Sequence, residues 1–188
     1  FNVEEARPTY RLALLTALAY LIIAPMPLLA HLSKPWRFWE TLVTPHFKSA
    51  MAMFGFVYIW YLLVVLLLEI WFEYRADIVH WSRESTGWKS RIYKILTLGV
   101  FDVSPRALAF DEKAIRVISV IGIPSAFLLH GYVGFIFGSI KANPWWSSVL
   151  MPVIFLFSAI VSGIALVILI FMIATVIRGK MQNMPSLD

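Results

Sequence analysis

Four long apolar runs alternate with short polar ones along the chain, and they set the first expectation. Reading each run to its flanking charges predicts membrane spans over about 11–32, 49–72, 114–140 and 148–177. Each is long enough to cross ~30 Å of hydrocarbon at ~1.5 Å per residue. No strand-like alternation competes with them. The fold class is therefore all-α, a polytopic transmembrane helix bundle. No repeat of 20–50 residues is evident within the four spans.

The first span carries Pro25 and Pro27 near its far end. Each lacks a backbone donor, so the helix is expected to kink there or to end early. The third span has Gly134 and Gly138 four apart, a spacing that lets a second backbone approach closely. Ser158 and Ser162 repeat the spacing of small residues in the fourth span.

Composition agrees with this pattern. Of 188 residues, 60% are hydrophobic and only 14% charged, against about 25% charged in a soluble domain. The mean hydropathy is +0.78. The net charge of +5 invites a nucleic-acid reading, but the basic residues flank the spans and leave no phosphate-binding stripe. Arg7, Arg11, Arg75, Arg83, Lys89, Arg91, Lys94, Arg106, Lys113, Arg116, Arg178 and Lys180 fall on one side; Lys34, Arg37, Lys48 and Lys141 fall on the other. That asymmetry places both ends and the 73–113 connection in the cytoplasm, with the 33–48 and 141–147 loops outside. The connection mixes Trp81, Trp88, Ile92, Tyr93, Ile95 and Leu96 with basic residues, which suits an amphipathic segment in the headgroup layer. Trp36, Trp39, Trp145 and Trp146 form an outer interfacial belt.

With no cysteine, the chain has no thiolate ligands for an iron–sulfur cluster and no disulfide. It opens on Phe1 followed by charged residues, without a cleavable signal pattern, and is expected to be part of a longer polypeptide.

Ionisable groups inside a membrane are costly and point to function. His130 is the plainest, ~15 Å inside the outer end of the third span. Ala126, His130, Gly134 and Gly138 recur every four residues, which puts the imidazole on a face of small side chains. Such a ring serves either as a ligand and proton carrier or as a structural group bonded across to Ser158 or Ser162. His31 and Arg37 stand at the outer end of the first span, where one titrates near neutrality and the other offers a planar fork of donors. Tyr132 and Ser125 are further polar groups near His130. His46 and Ser49 precede the second span, Ser49 reading as a helix N-cap. Glu69 and Glu73, beside Arg75, read as a solvated or paired helix end.

Two stretches carry a family resemblance. His31-Leu32-Ser33-Lys34-Pro35-Trp36-Arg37, followed by Pro45 and Ser49, resembles the Asp-x-Gly-x-Pro-x-Arg pattern of NrfD/PsrC membrane subunits. Pro35, Arg37, Pro45 and Ser49 match, while His31 stands for the aspartate and Ser33 for the glycine. Gly122-Ile123-Pro124 through His130-Gly131-Tyr132-Val133-Gly134, with Asn143-Pro144-Trp145-Trp146 and Ser158 to Gly163, is most similar to the DsrP branch, from DsrMKJOP complexes of sulfur-metabolising prokaryotes. The resemblance implies an eight- to ten-span protein of the cytoplasmic membrane, without haem or iron–sulfur cluster in this chain. It further implies menaquinone bound toward the outer face. The implied partners are a DsrO-like extracytoplasmic iron–sulfur subunit and DsrJ-, DsrM- and DsrK-like subunits.

Quinone chemistry couples proton exchange to electron transfer, so the expected quinone-binding and proton-transfer residues are His130, Arg37, His31, Tyr132 and Ser125, with Gly134, Gly138, Ser158 and Ser162 packing helices. A di-haem cytochrome needs histidines at matched depth on facing helices, and His31 and His130 differ in depth. A transporter would call for broken helices and intramembrane charge at the centre. A passive anchor is the remaining alternative, separable by quinone-analogue binding.

Overall fold

A computed structural model describes residues 7–31, 33–40 and 48–182. All regular structure among them is helical: α1 (Arg7–Ile23), α2 (Pro25–His31), a 3₁₀ turn (Pro35–Arg37), α3 (Ala50–Ile59), a π-helical segment (Trp60–Leu67), α4 (Leu68–Glu84), α5 (Trp88–Leu96), α6 (Pro105–Gly138) and α7 (Met151–Gln182). Four stretches are long and apolar enough to cross a membrane: Thr9–Pro27, Ala50–Glu84, Pro105–Gly138 and Met151–Gly179. The contacts divide the chain into two compact units, one of Phe1–Gly55 with Phe127–Asp188 and one of Phe56–Ala126.

In the first unit the break in the leading helix falls at Ala24, directly before Pro25. Proline disfavours helical geometry in the residue before it but suits the first position of a new helix. Helix α1 lies against α7. Gly134 lies in the tightest approach: a Cβ there would meet Pro152 Cα at 2.6 Å and the Met151 carbonyl oxygen at 2.7 Å. At Gly138 it would meet the Ser148 carbonyl oxygen at 2.8 Å. Phe137 stacks on Phe155 at 5.3 Å and meets Trp146 edge-on at 5.4 Å. Close backbone approach plus ring packing thus ties the end of α6 to the start of α7.

The second unit is built on a helix that does not stop where the apolar run stops. The expected exit near Phe72 is not a helix end: backbone hydrogen bonding continues to Glu84. Likewise α6 begins at Pro105, nine residues before the expected span start at Ala114. Charges mark where a helix leaves hydrocarbon, while helix ends follow caps and turns. Here Ser104 supplies the cap, its Oγ accepting the Ala107 N–H at 3.3 Å, with Pro105 in the first position.

After a turn at Gly87, whose φ of +71° favours glycine, α5 doubles back along α4. The Ser90 hydroxyl donates to the Ser82 carbonyl at 3.1 Å, Trp81 and Tyr93 rings lie 5.6 Å apart, and the Trp71 indole N–H donates to the Leu96 carbonyl at 2.9 Å. So the amphipathic segment expected within 73–113 is packed on α4 by its polar and tyrosine side. Trp88, Ile92 and Ile95 face away, exposed.

Gly131 and Gly134 supply a contrast that tests the packing. Gly131 has no atom within 4 Å of a would-be Cβ. Gly134→Ala is expected to destabilise the full-length protein by about 1–3 kcal/mol through overpacking against backbone that cannot yield. Gly131→Ala should be neutral or stabilise by up to about 1 kcal/mol. SDS-titrated unfolding of both variants measures the difference; equal shifts would remove the close approach.

Candidate functional site

His130 sits in α6 four residues before Gly134 and is half-buried. Gly134 is buried, its open side against Met151 and Pro152, and His130 shares that face of the helix. Tyr132 is also half-buried, its ring 6.0 Å from that of Phe135. Ser158 and Ser162 lie exposed on α7, the Ser162 hydroxyl donating to the Ser158 carbonyl at 2.7 Å.

His31 closes α2; its side chain, like Pro45 and His46, lies outside the described residues. Ser33 and Pro35 are exposed. Arg37 ends the 3₁₀ turn and makes a two-pronged pair with Glu40, Nε to Oε1 at 2.6 Å and the terminal nitrogen to Oε2 at 2.7 Å. The hydrogen bond from Arg37 holds the Glu40 carboxyl below the usual range, and Glu40 raises the guanidinium in turn. The pair therefore persists above Glu40's ordinary pKa and is lost as pH falls through its lowered one. Its exposure keeps the contribution small. Ser49 directly precedes α3, its carbonyl accepting the Met53 N–H at 3.1 Å.

Ser125 belongs to the second unit and is buried. Its hydroxyl accepts from the Trp60 indole at 3.2 Å and donates to the Ile121 carbonyl at 2.8 Å. Trp60 opens the π-helical segment, and one turn away a Cβ on Gly122 would stand 3.0 Å from Val65 Cγ1. An extra residue per turn is frequent at functional positions. Nothing in the apolar letters Trp60 to Leu67 signals it.

A polar cluster at the other end of the second unit was not expected as such. Arg75 is 2% exposed, and its Nε and one terminal nitrogen reach Asp111 Oδ2 at 2.8 and 2.6 Å. Its other terminal nitrogen donates to the Asp102 carbonyl. Glu69, read from sequence as a solvated or paired helix end, is buried and accepts from the Ser119 hydroxyl. Glu73 is buried too. The i, i+4 spacing of Glu69 and Glu73 is visible in the sequence; the partners are 36 to 50 residues away and are not. Among the described residues no group of three or more His, Asp or Glu side chains is placed to hold a metal.

Four apolar helices of spanning length, with scarce charge between their ends, define a multi-pass integral membrane protein. The family model described as polysulphide reductase, NrfD matches residues 1–188. The chain belongs to that family of prokaryotic membrane proteins. It is 34% identical over 91% of its length to a selenate reductase subunit of Mesobacillus selenatarsenatis, covering 41% of that protein. It is 28% identical over 90% of its length to protein NrfD of Escherichia coli, covering 48% of it. To a putative dimethyl sulfoxide reductase membrane subunit of Halobacterium salinarum it is 26% identical over its whole length, covering 41% of that protein. The chain thus spans less than half the length of these relatives. No solved structure matches.

A buried ion pair gives a sharp expectation. Asp111→Ala or Arg75→Ala alone should cost about 3–5 kcal/mol, because each leaves an uncompensated buried charge. The double change to Arg75→Met with Asp111→Leu should recover most of that. Thermal or SDS unfolding of the singles and the double reads the coupling; strictly additive losses would mean the two charges do not depend on each other.

Proposed function

We propose that the chain forms part of the haem-free, quinone-interacting membrane subunit of a respiratory redox complex. Electrons pass between menaquinone or menaquinol and an extracytoplasmic iron–sulfur partner. What carries this reading is His130: a titratable ring, half-buried in a membrane span, on the helix face whose glycines admit a neighbouring backbone. An imidazole can hydrogen-bond a quinone carbonyl through its N–H and take up a hydroquinone proton at its other ring nitrogen. Quinone reduction consumes two protons with two electrons, so such a group at the ring oxygen is what the chemistry needs. Tyr132 adds a hydroxyl on the same stretch of α6. Arg37 and His31 belong to the outer end of the first span, where protons exchange with water.

Membership in the NrfD family supports a place in a reductase-type complex, as do the relatives named as subunits of selenate and dimethyl sulfoxide reductases. The finer reading, a DsrP-like subunit with DsrO-, DsrJ-, DsrM- and DsrK-like partners in sulfite or sulfur metabolism, rests on the Gly122–Gly134, Asn143–Trp146 and Ser158–Gly163 stretches. Menaquinone would be held non-covalently, by hydrogen bonding at its carbonyls and ring packing on its apolar body.

In the full-length protein within its complex, His130→Ala should lower menaquinol turnover by about 10²-fold or more, the scale of a lost general acid–base group. The complex should still assemble, because His130 is only half-buried and a smaller side chain there overpacks nothing. Unchanged turnover with a quinone analogue still bound would remove His130 from the reaction. A protein that binds no quinone analogue at all would be a passive anchor.

A further inference from the structure

The second unit holds a cavity of 460 Å³ between α4, the 97–104 loop and the start of α6. This lies in the ~300–1,000 Å³ range of small-molecule sites. Its depth follows from the sequence. Ala50 to Leu68 is a run of 19 uncharged residues, long enough as helix to cross most of the hydrocarbon layer. Trp71, Phe72 and Arg75 come next on the same helix, so the cavity lies in the headgroup layer on the cytoplasmic side. Its neighbours suit that level: Leu98, Val100 and Phe110 are all exposed, and exposed apolar side chains are stable where acyl chains cover them.

The polar lining is not simply basic. Arg75 and Asp111 neutralise each other and are buried. That leaves Arg106 and Asp102, one charge of each sign, both exposed and both lining the cavity. Among the described residues Arg106 enters no ion pair. Asp102 accepts from the Ser104 backbone N–H at 2.8 Å and from its hydroxyl at 3.2 Å, which uses two of about four acceptor positions on its oxygens. Those bonds, the backbone one first, hold its carboxyl below the usual range, so it stays charged at neutral pH.

We propose that this cavity binds the headgroup of a phospholipid bearing a primary ammonium, a phosphatidylethanolamine, with the phosphodiester on Arg106 and the ammonium on Asp102. An anionic headgroup satisfies Arg106 but meets the Asp102 carboxylate. A choline headgroup keeps the charge but has no N–H to donate. Among ethanolamine, choline and glycerol headgroups, the ethanolamine form alone pairs both. The planes of Trp71, Phe72 and Phe110 then border the glycerol and first methylenes. None of these residues takes part in the proposed quinone chemistry, so the lipid site does not depend on that reading.

The test uses the full-length protein, stripped of lipid in detergent and then offered phosphatidylethanolamine, phosphatidylcholine or phosphatidylglycerol with identical acyl chains, with retained lipid read by native mass spectrometry. Wild type should retain phosphatidylethanolamine about tenfold over phosphatidylcholine, the weight of one charge-assisted hydrogen bond. Asp102→Asn, which keeps an acceptor for Ser104, should bring that ratio close to one at an unchanged melting temperature. Arg106→Gln should weaken all three lipids. A preference for phosphatidylglycerol, or a ratio untouched by Asp102→Asn, overturns the proposal. So does binding of soluble O-phosphoethanolamine as tight as that of the lipid, which would make the occupant a free metabolite.

Discussion

Inside hydrocarbon a backbone N–H or C=O has no water to turn to, and each unsatisfied group costs several kcal/mol. That one constraint shapes this chain more than any side-chain contact. It requires helices wherever the sequence is apolar, and it restricts where they can be interrupted. The one full break in a spanning helix among the described residues, at Ala24, is placed where Pro25 restarts a helix at once. Pro124, inside α6, leaves the helix unbroken. The irregularity between Trp60 and Leu67 is a change of helical pitch and not a loop, so the backbone remains bonded throughout.

Once a helix passes the hydrocarbon boundary the rules change, and polar groups take over the packing. The polar end of the second unit is held by Arg75, which spends three donors on Asp111 and the Asp102 carbonyl, and by Glu69 with Ser119. Arg75 draws the 97–104 loop and the start of α6 onto α4, and Trp71 and Tyr93 bind α5 to the same helix. A guanidinium suits this task because its planar donors reach a carboxylate and a carbonyl at once. The cavity between α4, the 97–104 loop and the start of α6 follows from these contacts.

The proposed redox chemistry and the proposed lipid site draw on different physics. One would depend on the His130 imidazole, set on a helix face of small residues in a membrane span. The other depends on two exposed side chains of opposite charge, Arg106 and Asp102, that line one cavity. The chain spans less than half the length of these relatives, so a quinone pocket of the kind proposed would draw on residues beyond those present, whereas every residue lining the cavity belongs to the second unit.

Much of the architecture was legible in the letters. Class, number of spans and family follow from runs of apolar residues, the position of sixteen basic side chains, and a few proline, glycine and arginine positions. These depend on local chemistry, which sequence records directly. Helix ends were less legible: Glu84 and Pro105 are set by a glycine turn and a serine cap that lie among charges, where hydropathy says nothing about helicity. For the site residues, sequence placed His130, Gly134 and Gly138 on one face because 3.6 residues make a turn. It could not place Ser125 under Trp60, or Arg75 on Asp111, because those pairs join residues 65 and 36 positions apart. Such contacts exist only after helices have packed, and tertiary structure alone decides which of several available partners a buried charge receives.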